Sequence, residues 1–298
     1  MNVLVRDVLR TILLTYITSP QRRLCALACR PWSTHLRDVC EREFGIRSIV
    51  SLKQLAREGR SDLLQWIRKM RAPRDWSNDT KQKLIFAAAR WGHTPLVRMG
   101  KDDWKAQHLV EVILYAAKGG HEDIVRLCVE EWEDRPLPLD WAMSNAAHCG
   151  HEGVVRLCHD VFGARDVDRA MASAAEGGHE SIVRVCYEQW NAVDVNRALH
   201  RAAQGGHEHI MRLCHDQWGA RDVNLAMIVA ACWGHAHIVQ ICYDEWGASA
   251  TDVQDTLKSA DANGFQEIVN MCRQWLATTA RDRVSHRDAY MWWEGDYE

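Results

Sequence analysis

The stretch AAEGGHESIVRVCYEQW (174–190) returns 28 residues later as AAQGGHEHIMRLCHDQW (202–218), and once more as AACWGHAHIVQICYDEW (230–246). Working outward, Gly-His pairs end at His93, His121, His151, His179, His207 and His235. A further step forwards reaches Gly264-Phe265 and a step backwards reaches Gly59-Arg60, which makes eight units with degenerate ends. A fixed period of this length marks a repeat architecture. No unit buries its own apolar face, and stacked neighbours make the core.

Each unit divides at its glycine. Before it, a helix from Val167 to Glu176 puts Ala170, Met171, Ala174 and Ala175 on one face. Gly177-Gly178 closes that helix, because glycine accepts the left-handed conformation of a helix end. A second helix starts near Glu180, buries Ile182, Val183, Val185 and Cys186, and ends near Trp190. Asp166, Asp194 and Asp222 stand where the next first helix begins and suit an N-cap. Asp261 replaces the second Ala of the pair in the last unit, as a terminal cap facing water would. With six Pro and few β-branched clusters, the chain is expected to be all-α.

The unit resembles the ankyrin repeat, TPLHxAAxxGHxxIVxLLLxxGAxxN, which HRAAQGGHEHIMRLCHDQWGARDVN (200–224) follows closely. The TP turn is absent, with Arg197-Ala198 and Leu225-Ala226 in its place. The unit is also about five residues shorter than usual. The missing stretch falls where ankyrin repeats project a finger. The resemblance, over about 225 residues, therefore implies an ankyrin-type helical-repeat solenoid with shortened fingers, spanning 48–275. Short, Trp-rich units of this kind are most similar to ankyrin proteins of large DNA viruses.

Residues 1–75 carry 15 Lys+Arg and 7 Asp+Glu, so the rest of a chain of net charge -3 carries -11. Such a split points to two functional parts. Within LVRDVLRTILLTYITSPQRRLCALACRPW (4–32), one apolar stripe runs to Tyr16, Ser19-Pro20 breaks it, and a second runs to Trp32. One reading is a helical cap over the first repeat. The other is a resemblance to the F-box, in which Leu4, Leu9, Ile12, Tyr16, Ile17, Leu27 and Trp32 match in order. Val5 replaces its usual Pro. This resemblance implies a helical F-box-like module over 1–47 that docks on Skp1 and brings a target to a cullin ubiquitin ligase.

The remaining features are read as structural. Cys128, Cys158, Cys186, Cys214, Cys242 and Cys272 recur at one slot, which argues for buried thiols in a reducing compartment. The expected location is the cytoplasm, with the nucleus left open. No secretory signal is read in MNVLVRDVLR, and no apolar run approaches the roughly 20 residues of a membrane span. His and Cys seven apart are too distant for shared zinc ligation, so no metal or cofactor is expected. Each His is expected to brace the inter-helix turn. Trp132, Trp190, Trp218 and Trp246 are expected to pack ring on ring along an outer edge, and the acids before them to pair with Arg126, Arg156, Arg184 and Arg212 one turn earlier. No GxSxG, Walker, HExxH or GxGxxG motif is present, so no enzyme is expected. The negative repeat part argues against nucleic acid. The tail 276–298 either packs on the last repeat or serves as a short peptide motif.

The expected function is therefore a non-enzymatic interaction protein. In one version the array captures a target and the F-box-like segment recruits the ligase. In the other it is an ankyrin scaffold or inhibitor with a merely capping N-terminus. Two slots flanking the Ala-Ala pair vary from unit to unit while core slots do not. With their neighbours they give the candidate binding residues Arg90, Trp91, Tyr115, Lys118, Asn145, His148, Glu176, Arg201, Gln204, Val229 and Trp233. Ankyrin relatives bind mainly through this concave face and the fingers, and the fingers are expected to be trimmed here.

Overall fold

The structure, a computed structural model, describes residues 56, 57, 59, 77–104, 109–131 and 137–278. All seven F-box-like positions, Trp132 and the tail beyond 278 lie outside the described residues. The chain divides into two units, Met1–Pro138 and Leu139–Glu298. The first contains α1 (Asn78–Arg90), α2 (Thr94–Asp102), a 3-10 turn (Leu109–Glu111), α3 (Val112–Gly119) and α4 (Glu122–Glu131). The second contains α5 (Leu139–His148), α6 (Glu152–Arg156), α7 (Val167–Gly177), α8 (Glu180–Arg184), α9 (Val195–Gly205), α10 (Glu208–Arg212), α11 (Val223–Trp233), α12 (Ala236–Asp244), α13 (Ala250–Asn263) and a last helix α14 over 266–278. Among the described residues all regular structure is helical.

In the first unit α1 packs on α3; in the second, α5, α7, α9, α11 and α13 pack in a row, with the shorter helices behind them. This sequential packing is an all-α repeat fold. The paired alanines make the close approach possible: Ala174, Ala175, Ala202, Ala203, Ala230 and Ala231 have no exposed surface. Behind them lie Ile182, Ile210 and Met211, and the recurrent thiols of Cys158, Cys186, Cys214 and Cys242 are fully enclosed.

The first helices start on their expected caps in two of three cases. Asp166 Oδ1 accepts from the Arg169 amide at 3.1 Å, and Asp194 Oδ1 from the Arg197 amide at 3.0 Å. Asp222 makes no such bond; its carboxylate instead lies 3.1 Å from His200 Nε2. A second column of side-chain acceptors secures the loop that precedes each cap. Asp140 Oδ1 accepts from the Arg165 and Asp166 amides at 2.7 and 3.0 Å, and Asp168 Oδ1 from Val193 and Asp194 at 2.7 and 2.9 Å. Asn196 Oδ1 does the same for Arg221 and Asp222.

The second helices differ from the simple α-helix expected. After α6, α8 and α10 the turn widens into π-helix over Leu157–Val161, Val185–Gln189 and Leu213–Gln217. The Trp190 amide then donates to the Val185 carbonyl, and the Ala192 amide to the Cys186 carbonyl at 3.0 Å. The residue between them adopts positive φ: Gly163, Gly219 and Gly247 elsewhere, and Asn191 (φ 55) after α8. Asparagine is the residue that best tolerates this conformation after glycine.

Histidine does not brace its own turn. It donates backwards, to the carbonyl of the last or next-to-last residue of the preceding unit's first helix. In the first unit His121 Nε2 lies 3.0 Å from the Arg90 carbonyl oxygen. In the second unit the bonds join His179 to His148, His207 to Glu176 and His235 to Gln204, at 3.1, 3.1 and 2.9 Å. Each ring occupies the space beside the preceding unit's left-handed glycine. A Cβ on Gly206 would lie 2.6 Å from His235 Nδ1. Burial, despite the bond to the Glu176 carbonyl, pulls the His207 pKa below its ordinary value, helped by the nearby His209, His179 and His235. A histidine with a lowered folded pKa stabilises the fold above its unfolded pKa of about 6.5 and loses that contribution as pH falls through the folded value. We expect the melting temperature to fall as pH drops below about 6.5, and His207→Gln to flatten that dependence; an unchanged slope would remove His207 as its source.

The tryptophans do not stack on one another. Equivalent positions on adjacent helices are about 8–10 Å apart, too far for ring contact. An aromatic from the preceding unit fills the gap. Trp190 stacks on His159, Trp218 on Tyr187, Trp246 on His215 and Trp275 on Tyr243, with centroids 4.0, 4.1, 4.2 and 4.1 Å apart. Each pair contributes about 0.5–1.5 kcal/mol beyond its area burial.

The acids beside this ladder are partly reassigned. Glu130 and Glu188 pair with Arg126 and Arg184 as expected, at 4.0 and 3.2 Å. Asp160 and Asp216 instead accept from His159 and His215, while Arg212 reaches forward to Glu245 in the next unit at 2.7 Å. Arg156 bonds Glu152 and Gln189. These exposed pairs contribute little.

Candidate protein-binding face

The first helices turn their alanine faces inward and therefore leave the opposite face to solvent or to neighbouring side chains. In the second unit that face is built from four positions per helix, spaced i, i+3, i+4 and i+7. They are Trp141, Ser144, Asn145 and His148 on α5; Arg169, Ala172, Ser173 and Glu176 on α7; Arg197, His200, Arg201 and Gln204 on α9; and Leu225, Ile228, Val229 and Cys232 on α11.

Unlike the core, these positions repeat neither in size nor in charge. The sequence candidates among them are not all free. Arg201 donates to Glu176 Oε2 at 3.1 Å and to Gln204 Oε1 at 2.8 Å, and Gln204 donates to Glu176 Oε1 at 3.2 Å. Three candidates thus form one closed network across α7 and α9. Ser144 and Ser173 share a 2.7 Å hydrogen bond between α5 and α7 beside half-buried Asn145. His148 is exposed and contributes its carbonyl to His179. Val229 is half-buried, whereas Trp233 is 58% exposed.

The first unit places its own four candidates on α1, α3 and the turn after α1. Arg90 and Lys118 are exposed. Tyr115 stacks on Phe86 with centroids 4.7 Å apart. Trp91 sits under the Arg57 guanidinium, 4.3 Å from the ring centroid, which is within cation–π range.

The column at the start of each first helix was missed by the sequence reading. It holds Trp141, Arg169, Arg197 and Leu225, and it is the most exposed part of the face: Trp141 is 58% and Leu225 44% exposed. Arg169 lies over Trp141 at 4.5 Å and also pairs with Asp166 at 2.8 Å. Its signal was the 28-residue interval itself, which carries a different residue type at each step.

No three His, Cys, Asp or Glu side chains converge as a metal site among the described residues, and no helix there is long and apolar enough to cross a membrane. The chain matches no protein-family model and no curated protein sequence.

Proposed function

We propose that the chain is a non-enzymatic interaction protein of the ankyrin type, whose first-helix faces capture a target protein. One observation carries this reading. The His, Cys and Asp side chains that catalysis would use are spent on joints between repeats, on the core and on caps, while the first-helix face changes from unit to unit. A surface of Trp, Tyr, Arg and His is rich in the residues that dominate interface hot spots. The F-box-like match over 1–47 supplies the second half of the proposal, recruitment of Skp1 and its cullin ligase. Shortened fingers would leave binding to the helices.

The two halves are tested separately on the full chain. Purified Skp1 should be retained at about micromolar concentration, and Leu9→Asp with Ile12→Asp should abolish retention without loss of helicity, because uncompensated charge on an apolar docking face is costly. Failure of the unsubstituted chain to hold Skp1 removes the ligase role and leaves a scaffold or inhibitor. For the captured target, an alanine scan should concentrate losses at Tyr115, Arg201 and Trp233. Losses at Trp190, Trp218 and Trp246 would move the site to the outer edge.

A further inference from the structure

Apart from Asn224 in its first turn, helix α11 is apolar throughout. Its inward residues Val223, Ala226, Met227, Ala230 and Ala231 are buried, as in the other first helices. Its outward residues are apolar as well: Leu225, Ile228, Val229 and Cys232, followed by Trp233. A helix apolar all round is ordinarily covered on all sides. Here Leu225 and Trp233 are 44% and 58% exposed, and the three between them are partly so. The neighbouring helices offer nothing similar. The matching positions are Arg197, His200, Arg201 and Gln204 on α9, and Asp255, Lys258, Ser259 and Ala262 on α13. The result is an apolar strip one helix wide between two polar ones, the form an interaction patch takes.

The charges bordering the strip select its occupant. Arg201 is satisfied by Glu176 and Gln204, and His200 by Asp222. On the other border Asp255 is paired with Lys258 at 2.8 Å. Arg197 is exposed, and no carboxylate pairs with its guanidinium among the described residues. Arg197 therefore stands at the border of the strip as a cation that no carboxylate holds among the described residues. Leu225 and Val229 are one turn apart, about 6 Å along the helix axis. Alternate residues of an extended segment are spaced about 6.6 Å and match that step.

We propose that α11 anchors an acidic protein segment through two or three apolar side chains set over Leu225, Val229 and Trp233, with a carboxylate of the segment on Arg197. The proposal rests on the protein-binding reading of the first-helix face and names the class of segment that face takes. The segment's apolar side chains complete the burial that α11 lacks, and its carboxylate forms a charge-assisted pair at the edge of a dehydrated patch, where such a pair is strongest.

The test is to pan a phage-displayed library of random 12-residue peptides against the full chain and to titrate the enriched peptides. Enriched sequences should combine aromatic or aliphatic residues with Asp or Glu. Leu225→Glu and, separately, Val229→Glu should each weaken them more than tenfold with helicity retained; the more exposed Leu225 guards against a folding artefact. Arg197→Glu should turn the preference from acidic to basic peptides. An absence of enrichment, or binding indifferent to all three substitutions, overturns the proposal. Peptides that respond to Trp141→Ala or Trp91→Ala instead leave the first-helix reading standing and remove α11 as the anchor; peptides that respond to none of the five substitutions count against both. A chain that sediments as a dimer and becomes monomeric with Val229→Glu assigns the strip to a second copy, which also overturns it.

Discussion

Replacing Gly206 by alanine is expected to cost about 3 kcal/mol of stability, while the same change at Gly219 costs about 1 kcal/mol. Both glycines are left-handed, with φ 76 and 75, so the backbone penalty is shared. Their surroundings differ. Around Gly219 an added Cβ meets nothing within 4 Å, but at Gly206 it meets the His235 ring at 2.6 Å. The ring must leave, and with it goes the 2.9 Å bond to the Gln204 carbonyl. Denaturant titration of the two variants checks this. A third variant, Gly206→Ala combined with His235→Ala, should cost less than the two single changes added together, because removing the ring makes room for the methyl group. Equal losses at Gly206 and Gly219 would show that only the backbone conformation matters and that the ring is free to move.

Native thiol labelling should separate the cysteines into two classes by about a thousandfold in rate, if the enclosed class reacts only through openings of about 4 kcal/mol. Cys186 and Cys214 have no exposed surface, and burial pushes both thiols up to about 12. The reactive thiolate is therefore scarce as well as shielded. Cys149 and Cys232, at the ends of first helices, are only partly buried and should label first. Peptide mapping by mass spectrometry after a short exposure reads each site individually. Cys214→Ser should destabilise by about 1–3 kcal/mol, since the hydroxyl enters an apolar slot without a partner. Rapid native labelling of Cys186 and Cys214 would mean that these helices do not hold the face described.

The features legible in the sequence are those in which one residue type does one job at every step. The glycine, the paired alanines and the cysteine each recur at an almost constant interval, so the helix pair, its closing turn and its buried face could be read directly. The acceptor column of Asp140, Asp168 and Asn196 escaped notice because Asp gives way to Asn along it, although both offer the same acceptor oxygen to the two loop amides. The π-turn escaped for another reason. Val185, Cys186 and Tyr187 present the same apolar pattern whether the turn holds four residues or five, and only the Trp190 amide reveals the difference. The tryptophans were recognised as a column but given the wrong partners, because the pattern shows which slots are equivalent and not how far apart they stand. For the candidate face the reasoning runs the other way: variation picked out Arg201, Glu176 and Gln204, and the structure shows that these three bind one another. The apolar run VNLAMIVAACW (223–233) was visible throughout, but periodicity cannot tell an enclosed helix from one with an open side.

The backward reach of the histidine has a consequence for how such a chain can change length. In the second unit each module carries a socket, the left-handed glycine and the carbonyl near it, and a plug, the histidine that fits the socket of the module before. Excise the 28 residues between two sockets and the next plug meets an identical socket; copy them and a new joint forms of the same kind. Genetic duplication or loss in whole modules therefore leaves no mismatched seam, whereas an insertion of any other length would separate a plug from its socket. The number of modules is free to drift under selection for reach, while the joint between them is not.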